Sequence, residues 1–140
     1  MIIKRLTNLF ELDDILPMMQ EFHSQYLLPY WPYPFSSYLA HVVSIFFLPT
    51  CAVWVGYEDD KPIGYLLAKI QYNFSILECV LMDVYSKVHS HDDFTKMWDT
   101  LIAWAKENNC TYLVGQTVRV EDYMAKYGYK KGMTTLFKEL

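Results

Sequence analysis

The sequence has 140 residues, of which 53% are hydrophobic and 20% are charged, so its apolar side chains suffice for a core and we expect one folded domain over residues 1–140. The net charge is −4 and no stretch concentrates lysine or arginine, which argues against nucleic acid as a partner. Aromatic residues make up 17% and include 12 tyrosines, and so many hydroxyl-bearing rings indicate a lined cleft or a contact surface.

The first predicted elements are a short edge strand and a long amphipathic helix. Ile2–Leu6 has the pattern of the strand, and Thr7 or Asn8 is suited to cap the helix that follows, with Glu11 in its first turn. Apolar residues then recur at three- and four-residue steps over about five turns. This spacing predicts a helix that is kinked, or whose start is displaced, at Pro17.

A proline-rich loop separates this helix from a second one. Leu28–Phe35 has the sequence LPYWPYPF, and its three prolines exclude a regular helix and a central strand. We expect Trp31 in this loop to be at least partly buried, because a large exposed apolar ring is unfavourable. Ser36 or Ser37 is predicted to cap the second helix, which covers Tyr38–Leu48.

The middle of the chain is rich in strands. Cys51–Tyr57 and Ile63–Tyr72 are predicted to form a hairpin across a polar turn. Ser75–Tyr85 is predicted to be a third strand. Because that strand is largely apolar, we expect it to lie in the middle of the sheet.

The last third of the chain alternates between helix and strand. An apolar stripe over Phe94–Ala105 predicts a third helix that ends near Asn109. Thr111–Val118 is predicted to be a strand, Glu121–Tyr127 a short helix, and Tyr129–Leu140 one or two final strands. The order β-α-α-β-β-β-α-β-α-β predicts a mixed α/β (α+β) domain.

The polar turn before the third helix is the first candidate site. Its sequence is HSHDDF over His89–Phe94, and a helix that starts after a strand directs backbone N–H groups to a place where an anion binds. Ser90 and Asp93 have the spacing of a capping box, in which side chains of the helix satisfy its own start. His89 and His91 are of a type that binds Zn²⁺, but no second cluster of His or Cys accompanies them, so no metal site is predicted.

Two further stretches resemble a known family. The hairpin AVWVGYEDDKPIGYLLAKI, with Gly64 after its turn, and the tail DYMAKYGYKKGM resemble strands and the tail motif of the GNAT (N-acetyltransferase) superfamily. The resemblance covers essentially the whole chain. It implies a mixed, mostly antiparallel central sheet with helices on both faces. It also implies direct transfer of an acyl group from acetyl-CoA to an amine of a small molecule or a protein.

The resemblance assigns a cofactor site to the end of the central strand and the turn after it. Val84 falls on the family's strand-end valine. The residues that fall in the turn for the pyrophosphate of acetyl-CoA are His89, Ser90, His91 and Phe94.

The resemblance also suggests catalytic residues. Glu78 falls on the acidic position of the central strand that often accepts the amine proton, and a solvated residue at the start of a strand is an equal alternative. Asp83 lies near the end of the same strand, and it too has a solvated position as its alternative. Tyr123 is the candidate for the acid that protonates the leaving thiolate, although the family position itself is Met124.

The cofactor turn departs from the family pattern. Asp92 and Phe94 stand in place of two glycines that allow backbone N–H groups to approach phosphate oxygens. The carboxylates of Asp92 and Asp93 are each expected to cost about 1–3 kcal/mol at about 5 Å from a phosphate charge. Tyr123 is offset from Met124 by about 100° around a helix. Both the turn that should bind the pyrophosphate and the acid that should protonate the thiolate are therefore altered.

These departures leave two functions open, and the sequence favours the first. One is a catalytically weak or inactive GNAT-like scaffold that has no cofactor and serves as a binding or structural part, with an unknown protein partner or a second copy. Such a scaffold is similar to GNAT-like proteins of bacteriophages, some of them associated with virions. The other is an active acetyl-CoA-dependent N-acetyltransferase.

The cysteines and the apolar runs predict the compartment. Cys51, Cys79 and Cys110 are odd in number and widely spaced, which favours free thiols in a reducing compartment, and we expect Cys79 and Cys110 to be buried and inert. No apolar run reaches the length of a signal peptide or a membrane span. We therefore predict no membrane partner and a cytoplasmic, or virion-associated, location.

Overall fold

The strands predicted from the apolar patterns form one mixed sheet in a computed structural model that describes residues 1–87, 91–115, 128–132 and 138, without the side chains of His91 and Phe94. The first four strands pair as antiparallel neighbours in chain order, and the fifth pairs parallel to the fourth. The strands are β1 (Ile2–Arg5), β2 (Cys51–Glu58), β3 (Lys61–Asn73), β4 (Ile76–Ser86) and β5 (Tyr112–Gly115).

The first predicted helix consists of three differently wound segments. A 3-10 segment covers Leu9–Ile15, helix α1 covers Leu16–Phe22, and a π-helical segment covers His23–Leu27. Asn8 and Glu11 form the capping box of the 3-10 segment. Pro17 lies in the first turn of α1, where its missing N–H costs nothing, so the predicted displacement of the helix start is confirmed.

The second helix starts earlier than predicted. Helix α2 covers Phe35–Ile45 and its N-cap is Pro34, so the prediction of a serine cap at Ser36 or Ser37 is wrong. The physical reason is that Pro34 has a fixed extended backbone, with φ −69° and ψ 156°, which directs the chain into the helix without a side-chain cap. The proline-rich loop is therefore shorter than its sequence indicates.

The third helix, α3, covers His91–Glu107 and ends as the sequence predicts. Asn109 has the left-handed backbone, with φ 60°, that closes a helix. The predicted cap Ser90, the predicted helix Glu121–Tyr127 and most of the predicted last strand lie outside the described residues. Among the described residues, no helix is long and apolar enough to cross a membrane.

Helices cover both faces of the sheet and create two apolar cores. One core lies between the sheet and α1 and α2, and the other lies between the sheet and α3. β4 lies between β3 and β5, as its apolar sequence predicts. The fold is therefore a mixed α/β structure with a mostly antiparallel sheet, and the prediction of the fold class is confirmed.

A β-bulge in β4 determines which side chains face each core. Leu67 of β3 pairs with Asp83, but the next residue of β3 pairs with Leu81, so Met82 is an extra residue in β4. Strict alternation would put Leu81 and Asp83 on the same face of the sheet. The extra residue instead leaves Leu81 against α3 and turns Asp83 toward α2, where Tyr38 contacts it.

Candidate functional site

Asp83 is a buried carboxylate near the end of the central strand. Only 5% of its surface is exposed, so the alternative of a solvated position is wrong for this residue. The Tyr38 hydroxyl of α2 donates a hydrogen bond to Oδ2 of Asp83. No other donor to this carboxylate is found in the described part of the chain. Tyr38 thus holds one oxygen of a buried carboxylate, and within residues 1–87, 91–115 and 128–132 no group donates to the other.

Tyr65 of β3 extends this hydrogen bond into a short chain. Its hydroxyl lies 3.3 Å from the hydroxyl of Tyr38, and both rings are buried. While Asp83 is ionised, the one hydroxyl proton of Tyr38 points to Asp83, so Tyr65 is the donor in the second bond. Two aligned O–H groups therefore stabilise the negative charge of Asp83.

Burial brings the pKa of one group in this cluster close to neutral pH. Desolvation raises the pKa of Asp83 to about 7, and the hydrogen bond from Tyr38 opposes this rise. Desolvation and the Asp83 carboxylate raise the pKa values of the Tyr38 and Tyr65 hydroxyls well above their ordinary range, so both phenols keep their protons. Asp83 is consequently the group of this cluster that exchanges a proton near pH 7.

Aromatic rings pack close to the Asp83 cluster. Tyr85, two residues further along β4, stacks on Tyr65 with 6.3 Å between ring centroids. Phe22 of α1 packs edge-on against Tyr65 at 6.2 Å. The Tyr85 hydroxyl lies beside the Glu21 carboxylate, and burial together with this carboxylate raises the pKa of Tyr85 to about 12. Phe22 and Tyr65 belong to the apolar core between the sheet and helices α1 and α2, and Tyr85 packs against it.

His23 ties the proline-rich loop to the same cluster. Its Nε2 lies 2.9 Å from the carbonyl oxygen of Tyr33, and because a carbonyl only accepts, Nε2 carries the proton. The His23 ring is buried and packs against Tyr33, Phe35 and Tyr38. Trp31 in the loop is half-buried, which confirms that part of the prediction.

Glu78, the other candidate base, lies away from this cluster. It is buried with 7% of its surface exposed, so the alternative of a solvated position is wrong here as well. Gln71 donates to Oε1 at 2.8 Å and Asn73 donates to Oε2 at 3.5 Å, so amide groups satisfy both oxygens. Five strand residues separate Glu78 from Asp83, which corresponds to about 16 Å. Its catalytic role stays a prediction.

The start of α3 is unfavourable for a bound anion. In the described residues β4 pairs in parallel with β5 up to Leu81 and Gly115, and β4 continues through Val84 to Ser86. Asp92 and Asp93 stand in the first turn of α3, where they disfavour a pyrophosphate.

Several predicted site residues lie beyond what the structure describes. His89, Ser90, Tyr123 and Met124 are outside the described residues, as are the side chains of His91 and Phe94. The described residues contain no group of three or more metal-ligating side chains. Cys79 is buried as predicted, and desolvation raises its pKa to about 12, which disfavours the reactive thiolate. The prediction that Cys110 is buried is wrong, because Cys110 is only half-buried.

The structure brings together three polar residues that no sequence motif connects. Tyr38, Tyr65 and Asp83 come from α2, β3 and β4. One signal was available in the sequence: Asp83 interrupts an apolar strand that is expected to be buried, where a carboxylate requires a partner. The identity of that partner depends on the tertiary contact.

Comparisons with known proteins agree on one fold. The model of the acetyltransferase (GNAT) family matches residues 15–133. The sequence has no significant match among curated proteins. Three similar crystal structures illustrate the likeness in fold.

An aminoglycoside 6′-N-acetyltransferase from Acinetobacter haemolyticus has a TM-score of 0.76 at 17% identity, with 100% of this chain and 98% of that chain covered. An aminoglycoside N-acetyltransferase in complex with CoA has a TM-score of 0.76 at 15% identity, with 99% and 93% covered. A ribosomal-protein-alanine N-acetyltransferase from Brucella melitensis biovar Abortus 2308 has a TM-score of 0.72 at 14% identity, with 99% and 100% covered. At these identities the likeness concerns the fold.

Proposed function

Because this chain belongs to the acetyltransferase (GNAT) family, we propose that it transfers an acetyl group from acetyl-CoA to an amine, with Asp83 as the base. The observation that carries this proposal is the buried Asp83 carboxylate with one oxygen bound by Tyr38. A carboxylate held in this way near the end of the central strand suits proton transfer from an amine.

The proposed chemistry requires one proton transfer by the protein. An acceptor amine is protonated at pH 7 and becomes a nucleophile only after it loses a proton, which Oδ1 of Asp83 accepts. Acetyl-CoA would supply the thioester, whose carbon–sulfur bond would break as the new carbon–nitrogen bond forms. CoA would leave as a thiolate, which takes up the second proton of the amine nitrogen. Tyr38 and Tyr65 hold Asp83 in place during this step, and the rings of Tyr85 and Phe22 keep water from the amine.

The test compares the two buried carboxylates of β4. Asp83→Asn keeps the shape of the side chain and removes the base, and we expect the rate of acetylation of a panel of primary amines to fall by about 100-fold. Glu78→Gln is the matched control, because amides already satisfy its oxygens, and it should retain activity. A loss confined to Glu78→Gln would assign the base to Glu78 and overturn the role of Asp83.

A second candidate function is a scaffold that does not transfer acetyl groups. It is supported by Asp92 and Asp93 in the first turn of α3, because two carboxylates oppose a pyrophosphate there. Its partner would be another protein or a second copy of the chain. Calorimetric titration separates the candidates: micromolar binding of acetyl-CoA supports the enzyme, whereas no heat at millimolar acetyl-CoA supports the scaffold.

A further inference from the structure

We propose that one end of the sheet binds a second copy of this chain and that the ring of Phe74 sits in a cavity of that copy. The pairing of the strands brings the start of β2, the turn between β3 and β4, and the start of β5 to this end. Asp83 lies seven residues along β4 from Ile76, or about 20 Å from this end. The surface is therefore separate from the candidate site, and the inference does not depend on acetyl transfer.

This end of the sheet exposes enough apolar surface for a stable dimer. Six large apolar side chains here are each at least 42% exposed, and they are Phe47, Leu48, Tyr72, Phe74, Ile76 and Tyr112. Four of the six are aromatic, and together the six expose roughly 700 Å². A stable protein interface buries about 800 Å² on each partner, so this surface has the size that a dimer requires.

The surface carries little charge. Every residue that directly precedes or follows one of the six apolar side chains in the sequence is uncharged. The carboxylate of Glu78, which also lies at this end, is buried and accepts hydrogen bonds from Gln71 and Asn73. Apolar surfaces that lack charge are typical of contacts between identical subunits, whereas a charged patch would indicate a partner of opposite charge.

Phe74 occupies a position in the chain that is unfavourable for a phenylalanine. It forms a two-residue turn with Ser75 between the paired residues Asn73 and Ile76, and both turn residues have positive φ angles, 49° and 66°. Such turns favour Asn and Gly, because a bulky side chain is strained in the left-handed region. The ring is also 91% exposed. Burial of the ring in a partner would offset both costs, which is the property of an anchor residue.

The same end of the molecule has a cavity that can accept such a ring. The cavity has a volume of about 300 Å³ and lies where β1 separates from β2, with Phe46, Phe47, Leu48 and Arg5 in its lining. A benzene ring needs a cavity of only about 150 Å³, and an arginine favours the face of an aromatic ring. Because one chain carries both the ring and the cavity, two copies related by a twofold axis can each insert Phe74 into the other. This complementarity favours a second copy over a different protein.

Sedimentation velocity of the full chain over about 1–100 μM tests the inference, and we expect the wild type to form a dimer that dissociates on dilution. Phe74→Asn removes the ring and introduces a residue that suits the left-handed backbone, so the variant should fold and its dissociation constant should rise at least roughly tenfold. Ile2→Thr is the control, because Ile2 is exposed and pairs with Tyr57 at the opposite end of the sheet. It should leave the dissociation constant unchanged.

A second variant tests where the ring of Phe74 sits. Leu48→Ala alters the cavity, so its effect and that of Phe74→Asn on the logarithm of the dissociation constant should add to less than their sum in the double variant. Fully additive effects would overturn the placement of the ring in the cavity.

Two results would overturn the whole inference: a wild-type monomer at every concentration, or a Phe74→Asn dimer with an unchanged dissociation constant. None of these measurements requires acetylation, so a failure of the proposed function is distinguishable from a failure of this inference.

Discussion

The buried carboxylate of Asp83 makes the stability of the fold depend on pH. Its raised pKa means that the folded protein binds a proton at Asp83 in a pH range where the unfolded chain has already released it. The contribution of Asp83 to the free energy of unfolding is therefore favourable at low pH and decreases as the pH rises through about 7. The Tyr38 hydrogen bond reduces this cost, because it favours the ionised form.

Replacing Tyr38 tests this coupling at the scale of one residue. Tyr38→Phe removes the donor to Oδ2, so the pKa of Asp83 should rise further and the acidic limb of kcat/KM against pH should move to higher pH. One lost hydrogen bond to a charged group corresponds to a displacement of about one pH unit. The measurement is the pH profile between pH 5 and 9.

Tyr65→Phe is the matched control for this prediction. It removes a second hydroxyl that contacts Tyr38 and not Asp83, so its displacement should have the same direction and be smaller. A profile for Tyr38→Phe that coincides with the wild type at all pH values would contradict the coupling. A uniform fall in rate without displacement would indicate a purely structural role for Tyr38.

At the scale of elements, the register of two neighbouring strands sets the site. Gly64 of β3 pairs with Ser86 of β4, immediately after Tyr85. A Cβ atom at Gly64 would lie 2.8 Å from the Tyr85 carbonyl oxygen and 3.3 Å from Cα of Ser86. These distances are shorter than van der Waals contact and involve backbone, which has little freedom to move. The glycine permits the close approach of the strands next to the site.

Gly64→Ala should therefore separate β3 from β4 and destabilise the fold by about 1–3 kcal/mol. Gly115→Ala is the control, because its Cβ atom would meet Leu81 at 3.6 Å, an ordinary contact, and it should change stability little. Urea unfolding of both variants measures the free energies. Equal stability of the two variants would show that the strands adjust to the added methyl group.

Prediction from sequence succeeded for elements whose signal is local. The helix cap at Asn8, the apolar β4 and the closure at Asn109 all depend on residues close together in the chain. The bulge at Met82 depends on how β4 pairs with β3, and no local pattern encodes that register. The orientation of Asp83, and with it the candidate site, therefore required the structure.

At the scale of the whole molecule, the chain has the fold of the acetyltransferase (GNAT) family and an acidic first turn in α3. Helices on both faces bury the sheet, and β4 ends beside the start of α3 in chain order. The resemblance to the family implies that acetyl-CoA binds at this junction, and the first turn of α3 carries Asp92 and Asp93. If the chain binds acetyl-CoA as proposed, the charge of this turn opposes that binding.

Asp92→Asn measures how much the charge of Asp92 weakens the binding of acetyl-CoA. If the carboxylate lies near the pyrophosphate, removing its charge should tighten the binding of acetyl-CoA by about fivefold, or about 1 kcal/mol. Asp99→Asn, an exposed carboxylate two turns further along α3, is the control and should leave the dissociation constant unchanged. Calorimetry at low and at high salt gives the comparison, because a charge effect shrinks as salt screens it.

The same variant also distinguishes a charge effect from a helix effect. A carboxylate in the first turn stabilises α3 through the helix dipole, so Asp92→Asn should lower the free energy of unfolding by about 0.5 kcal/mol without ligand. An increase in cofactor affinity together with this small loss of stability means that Asp92 stabilises α3 and also weakens the binding of acetyl-CoA. Unchanged affinity with the same loss of stability means that Asp92 serves the helix alone, and that the pyrophosphate, if it binds, lies elsewhere.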